Sequence, residues 1–236
     1  MVKDDLKKKY QAKIKEYIKH NQLYFEKSKP IISDSEFDKL KLEIVDLEKK
    51  YTFLKNKNSP SKNVGFKPSK SFDKFEHKIP MLSLSNAFDE NDLINFEKKI
   101  YNYLNKKIDI EYSVEPKIDG ISASLTYINK QLEFGVSRGD GKIGEVITEN
   151  LKTINDIPLE IKSDDFPDEI EVRGEVFIKK KDFLKIKDNF ANPRNAASGT
   201  LRQKNPEETK KIPLNFIAYT FGFIQNNQFK FQSEFL

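Results

Sequence analysis

The chain has no cysteine, no tryptophan and only two histidines, His20 and His77. Without cysteine there is no disulfide scaffold, no thiol catalysis and no cysteine-based zinc site. Two histidines leave little room for a multi-histidine metal centre or a Ser-His-Asp triad. No apolar run approaches the ~18 residues of a membrane-spanning helix. The start, Met1-Val2-Lys3-Asp4-Asp5, carries no apolar secretory core. A soluble, cytoplasmic protein is expected. Arginine is scarce too: of 42 basic residues only Arg138, Arg173, Arg194 and Arg202 are arginines. A chain that uses lysine nearly everywhere else places these four where a planar, bidentate donor is needed.

What is present fits one large domain, or a medium domain with a small one, in 236 residues. Hydrophobic residues are 37% and charged residues 33%, and 19 Phe and 9 Tyr supply core volume. The net charge of +5 lies wholly in the first 60 residues, where 15 Lys face 10 acids. From residue 61 on the two signs balance at 27 each. A basic N-terminal segment can meet phosphates or another anion, although a lysine-biased surface is the plainer account.

The periodicity divides the chain. Leu6, Tyr10, Ile14, Tyr17 and Ile18 recur at helical spacing until Pro30 interrupts. Ser33-Asp34-Ser35-Glu36 reads as a capping box with Ile32 and Phe37 as a staple. Phe37, Leu40, Ile44 and Leu47 form the stripe of that second helix. Two such helices bury little alone and are expected to dock on the rest of the chain. Residues 55–72 read as a linker. A helix is expected from about Asp89, with Leu93, Phe96, Ile100 and Leu104 on one side. Then the period becomes two. Ile108, Ile110, Tyr112 and Val114 alternate with polar residues as in a half-buried strand. Further strands are expected at 121–128, 132–136, 170–178 and 214–224, with a turn at Arg138-Gly139-Asp140-Gly141. Helices before and between antiparallel strands make the fold class α+β. An exposed sheet edge is expected near Phe229–Leu236.

Four clusters carry chemistry. In Glu115-Pro116-Lys117-Ile118-Asp119-Gly120 an extended backbone puts residues 115, 117 and 119 on one face. A lysine there can be a nucleophile only when neutral, so its pKa must fall from ~10.4. The flanking carboxylates act in the opposite sense, so a metal or another cation is required. An exposed lysine paired with Glu115 is the plainer account. In Glu171-Val172-Arg173-Gly174-Glu175 alternation puts two acids and a guanidinium on one face, as a surface ladder also would. The glycines of Ser137–Glu145 can offer backbone N–H groups to phosphate beside Arg138 and Lys142, or simply make a hairpin turn. Phe190–Gly199, rich in small and amide residues, suits close packing around a ligand, or an Asn-Pro turn into a helix.

Taken together and in order, these segments resemble the N-terminal part of bacterial NAD-dependent DNA ligases. The likeness runs from Ile32–Asp38 through Pro80-Met81-Leu82-Ser83-Leu84-Ser85-Asn86, Glu115–Gly120 and Ser137–Glu145. It continues through Thr153-Ile154, Ile157-Pro158-Leu159, Val172–Val176 and Phe190–Gly199. The resemblance implies a small helical domain that recognises nicotinamide mononucleotide, residues 1–60. It implies a mainly antiparallel, ATP-grasp-like nucleotidyltransferase domain, residues 61–236, truncated at its C-terminus. It implies that Lys117 attacks the α-phosphate of the NAD+ adenylyl group, releasing nicotinamide mononucleotide and leaving a Lys–AMP phosphoramidate. The AMP then passes to the 5′-phosphate of nicked double-stranded DNA, and the 3′-hydroxyl displaces it, with Mg²⁺ screening the phosphates.

The resemblance also assigns positions. Ser83 and Leu84 match nucleotide-pocket residues, and Glu115, Arg138 and Glu175 match AMP-site residues. Tyr24 and the run Asp34, Ser35, Glu36, Phe37 and Asp38 match the nicotinamide-side segment. Asp119 stands as a candidate ribose or metal contact, and no protein-held metal is assigned. Phe25 stands where the family has His, and Phe37 where it has Tyr; both changes remove a polar handle and keep an aromatic ring. The chain stops at Leu236, before two further lysine-bearing motifs of the family, so an impaired or inactive isolated chain is expected. A separate chain carrying those motifs is one way to complete it. The competing readings are a non-catalytic NAD-binding module, half of a split ligase, and a fragment whose basic helices contact nucleic acid. An ATP-dependent nucleotidyltransferase shares the Lys-x-Asp-Gly cluster, but would not need the segment around Asp34–Asp38.

Overall fold

The computed structural model describes residues 2–25, 31–62, 72–163, 165–226 and 229–236, and not the side chains of Val2, Tyr24, Phe25 and Asp34. Helix α1 (Val2–Phe25) packs on α2 (Asp34–Lys50). Tyr10, Ile14 and Tyr17 of the first meet Phe37, Leu40 and Ile44 of the second, the i, i+3/i+4 stripe each sequence carries. The rings of Tyr17 and Phe37 stack at 5.5 Å, and that burial pushes the Tyr17 phenol up to about 12. The capping box forms: Glu36 N–H donates to the Ser33 hydroxyl, and the Ser33 N–H donates back to the Glu36 carboxylate at 2.8 Å. The Ser33 N–H and hydroxyl, both donating to it, hold the Glu36 carboxyl below its ordinary range.

The remainder runs β1 (Lys74–Glu76), α3 (Glu90–Leu104), β2 (Ile121–Ile128), β3 (Gln131–Ser137), β4 (Ile143–Glu145) and α4 (Thr148–Leu151). It goes on through β5 (Glu169–Phe177), α5 (Lys180–Phe183), α6 (Pro193–Leu201), α7 (Pro206–Lys210), β6 (Asn215–Ile224) and α8 (Gln232–Phe235). An antiparallel sheet has the order β3-β2-β5-β6, and β1 pairs with β4 in a two-stranded ribbon. This is α+β with a helical N-terminal region.

The β2–β5 register sorts the side chains. Ala123, Leu125 and Tyr127 lie opposite Gly174, Val172 and Ile170, on the face that packs Leu151, Ile154, Ile157 and Leu201. Ser122, Ser124 and Thr126 lie opposite Glu175, Arg173 and Glu171. That second face is polar, yet all six of its side chains except the half-buried Ser122 are buried. The outward surface ladder considered for Glu171–Glu175 is therefore replaced by an enclosed polar layer.

Two expected elements do not form. Residues 107–119 form neither strand nor helix, and Val114 is 91% exposed. A strand needs a ladder partner as well as alternation, and both neighbours of β2 are already β3 and β5. Likewise Phe229–Leu236 is no open strand edge. It turns into α8, whose Phe235 packs with Phe229 on Phe221 of β6, while Gln232 donates to the Tyr219 carbonyl at 2.5 Å. Helix α3 forms where expected, capped by Asp89, but none of its residues is buried, and Leu93 and Phe96 stay exposed.

Ile44 is wholly enclosed between the two N-terminal helices. Ile44→Ala is expected to cost about 2–5 kcal/mol of stability in that pair. Urea unfolding followed by circular dichroism measures it.

Candidate functional site

Gly120 ends the Glu115–Asp119 segment at the start of β2. A Cβ on Gly120 would lie 2.2 Å from the Val176 carbonyl, so only glycine lets the chain lie this close to β5. Lys117 and Glu115 are exposed, and Glu115 accepts the Ser113 hydroxyl at 3.0 Å. Asp119 pairs with Arg194 Nη1 at 3.0 Å. The two acids thus turn to separate partners.

The electrostatic centre is Glu175. It is buried on the polar face of β5, and burial pushes its carboxyl above the ordinary value. Four groups oppose that push: the Ser122 hydroxyl, which donates at 2.8 Å, then Arg194, Lys117 and Arg138. The Tyr219 phenol, raised by its own burial, also feels Glu175. The fold therefore gathers Lys117, Arg138 and Glu175, three residues of the sequence assignment, and adds Ser122 and Arg194.

The Ser137–Glu145 turn forms one wall. Gly139 has φ +58° and its missing Cβ would lie 1.9 Å from the Ile143 carbonyl; Gly141 has φ +93°. Asp140 accepts the N–H groups of Lys142 and Ile143 at 3.0 and 2.9 Å, so those two donors are used inside the turn. The glycines serve the turn's own backbone, and the charged group the turn presents to the neighbouring cavity is Arg138. Helix α6 forms the opposite wall. Asn192 caps it, Pro193 opens it, and the buried Ala196 and Ala197 let it sit close to the sheet. Its ends deliver Arg194 and Arg202. A cavity is lined by Ser137, Arg138, Arg194, Asn195, Ser198 and Arg202 among others. Arg202 Nε lies 3.3 Å from the carboxylate of Glu145, which is fully buried. Arg194, Arg202 and Ser122 were not assigned from sequence; the scarcity of arginine was the signal that pointed to the first two. Three guanidiniums thus border one cavity.

The other assigned positions are spread out. Ser83 and Leu84 lie on an irregular segment and are exposed, Leu84 by 76%. Ser35 is exposed, and the Glu36 carboxylate is committed to its own helix start. Asp38 accepts from Asn86 Nδ2 at 2.8 Å, which ties the helical pair to the segment that carries Ser83 and Leu84. The Phe37 ring is buried beneath Tyr17 in the helical core, where the apolar stripe of its helix puts it. The side chains of Tyr24, Phe25 and Asp34 lie outside the described residues. Among the described residues no three His, Asp or Glu side chains cluster as a metal cage.

The fold thus sets the buried Glu175 beside Ser122, which also lines the cavity that Arg138, Arg194 and Arg202 border. The family model for the NAD-dependent DNA ligase adenylation domain matches residues 69–236, and that for the DNA ligase-like N-terminal NAD+-binding domain matches residues 3–65. The DNA ligase of Pelagibacter ubique is 62% identical over 98% of this chain and 35% of its own length. Those of Endomicrobium trichonymphae and Thermodesulfovibrio yellowstonii are 46% and 40% identical, over 94% and 100% of this chain and 34% and 36% of theirs. The chain belongs to the NAD-dependent DNA ligase family. It spans about a third of the length of the curated relatives it matches.

Because the Glu175 carboxyl is raised in the folded state, the folded chain holds that proton more tightly than the unfolded one. Its stabilising contribution is complete below the ordinary 4.5 and is lost as pH rises through the raised value. Wild type should therefore gain stability relative to Glu175→Gln as pH falls from neutrality toward 4.5. Paired urea midpoints across that range check the slope, and a flat difference is the contrary result.

Proposed function

We propose that this chain carries the adenylyl-accepting machinery of an NAD-dependent DNA ligase, serving replication and repair in the cytoplasm. Residues 1–60 are its nicotinamide mononucleotide-recognition domain and residues 61–236 belong to an ATP-grasp-like nucleotidyltransferase domain. The observation that carries this reading is the convergence of Lys117, Arg138 and Arg194 on the buried Glu175. The Lys117 amine attacks the adenylyl phosphorus of NAD+ and gives up its proton as the N–P bond forms; the bond from phosphorus to the bridging oxygen breaks and nicotinamide mononucleotide leaves. Arg138 neutralises phosphate oxygens during that displacement, joined by Arg194 and Arg202 as they exchange their Asp119 and Glu145 carboxylates for phosphate. Glu115, Ser83 and Leu84 stand at the nucleotide, Asp119 at a ribose or metal, and Ser35, Glu36 and Asp38 on the nicotinamide side. The lysine then passes AMP to the 5′-phosphate of nicked DNA, and the 3′-hydroxyl displaces it. Mg²⁺ belongs to this reading as an ion brought by the phosphates, and no step is assigned to it. The remaining ligase motifs are supplied by further polypeptide, in the same chain or a separate one.

A second reading, a non-catalytic NAD-binding module, is favoured by one observation: Lys117 and Leu84 are both open to solvent.

Intact-protein mass spectrometry after incubation with NAD+ and Mg²⁺ separates the two. Slow gain of a single adenylyl group is expected, abolished in Lys117→Ala and slowed ~10²-fold in Arg138→Ala. Saturable NAD+ binding with no gain in mass would establish the second reading. A gain that survives Lys117→Ala would remove the lysine from its role.

A further inference from the structure

Arg173 works differently from the other three arginines. It stands on the polar face of β5, is buried, and is absent from the residues lining the arginine cavity. Its Nε donates to Glu171 at 2.9 Å, its Nη1 to the Pro80 carbonyl at 3.2 Å, and its Nη2 to the Ile79 carbonyl. A guanidinium can hold two successive carbonyls and a carboxylate at once because its five donors form a rigid plane; an ammonium cannot. The sheet makes room for that plane. On Gly222 of β6 a Cβ would lie 2.6 Å from both Nε and Nη2 of Arg173.

The same strap is stitched to the Ser137–Glu145 turn. His77 N–H donates to the Lys142 carbonyl and Met81 N–H to the Gly141 carbonyl, each at 2.8 Å. The buried His77 ring donates from Nε2 to the Ser137 carbonyl at 3.1 Å and turns Nδ1 toward Glu171 at 3.9 Å. Residues 77–81 are thus pinned to β5 and to the turn that presents Arg138. Five residues beyond Met81, Asn86 is tied to Asp38 of α2. Between these anchors the chain makes no strand or helix, and Leu82 and Leu84 are exposed. A segment with so little internal structure takes its position from its anchors.

We propose that Arg173 is a positioning residue: by gripping the carbonyls of Ile79 and Pro80 it sets where Ser83 and Leu84 stand relative to Arg138 and Glu175, and thereby the affinity for the adenylyl end of NAD+. This rests on the function proposed above. Arg173 touches no nucleotide in this arrangement; it acts through the strap. Glu171 neutralises the buried guanidinium and keeps its fork aimed at the strap.

The test uses the whole chain with Arg173→Lys, which keeps the charge and loses the two-carbonyl grip. Gly222→Ala is the second variant, since it crowds the fork without altering Arg173. Three quantities are read: thermal midpoint, amide hydrogen exchange of residues 79–86, and NAD+ affinity by calorimetry. In variants that keep a wild-type midpoint, strap exchange should rise about tenfold, exchange in β2 and β5 should not change, and the NAD+ Kd should rise about tenfold. Where adenylyl transfer is measurable, KM should rise with kcat held. If Arg173→Lys fails to fold, Gly222→Ala carries the test. Strap exchange and Kd both unchanged would overturn the proposal, as would acceleration spread evenly over the whole sheet. A wild-type chain that binds no NAD+ would overturn the functional reading and the affinity half of this proposal. Unchanged affinity in variants of a chain that does bind would overturn this proposal alone.

Discussion

The pairing of β2 with β5 governs this molecule. One register places three hydroxyl-bearing residues of β2 across from Glu175, Arg173 and Glu171, and the intervening apolar residues across from one another. Slipping it by one residue would turn the charged side chains into the apolar core and the core outward. With that register in place the sheet has a dry side and a polar side, both covered. Burying three ionisable groups on one strand is costly unless each finds a partner, and each does. Glu171 takes Arg173, Arg173 takes two backbone carbonyls as well, and Glu175 takes Ser122 and the surrounding cations.

From that face the site is assembled by elements far apart in sequence. The turn after β3 brings Arg138, helix α6 brings Arg194 and Arg202, and the segment before β2 brings Lys117. A strap from residues 77–81 closes over the middle of the face. Each is locked by a local device that leaves little freedom: positive-φ glycines in the turn, an Asn cap and N1 proline on the helix, and Gly120 where chain meets strand. Rigid presentation matters here because cations serve phosphate chemistry only when their positions are already established. Several apolar residues of α3 and of 107–114, among them Leu93, Phe96 and Val114, are exposed.

Much of this was legible without coordinates. The helical stripe at Tyr10, Ile14 and Tyr17 and the capping box at Ser33 are local signals, and both formed. The alternation in β2, β3, β5 and β6 was equally plain. The alternation at 108–114 was just as clear and produced no strand, because hydrogen-bonded pairing depends on a neighbour that the local pattern does not report. Phe37 carries two signals at once: the helical stripe puts it in the core, where it packs under Tyr17, and the family likeness puts it on the nicotinamide side.

What can be read along the chain is whatever adjacent residues settle between themselves: caps, periods, tight turns, and the composition that makes four arginines stand out among lysines. What needed the folded molecule is every property set by residues far apart in number. Glu175 becomes a perturbed acid only once the folded sheet buries it, against the opposing pull of Ser122, Arg194, Lys117 and Arg138, and Arg173 becomes a clamp only once Ile79 and Pro80 lie across it. Short-range sterics act between neighbours on the chain, whereas desolvation and Coulomb forces act between neighbours in space, and only folding makes the second set.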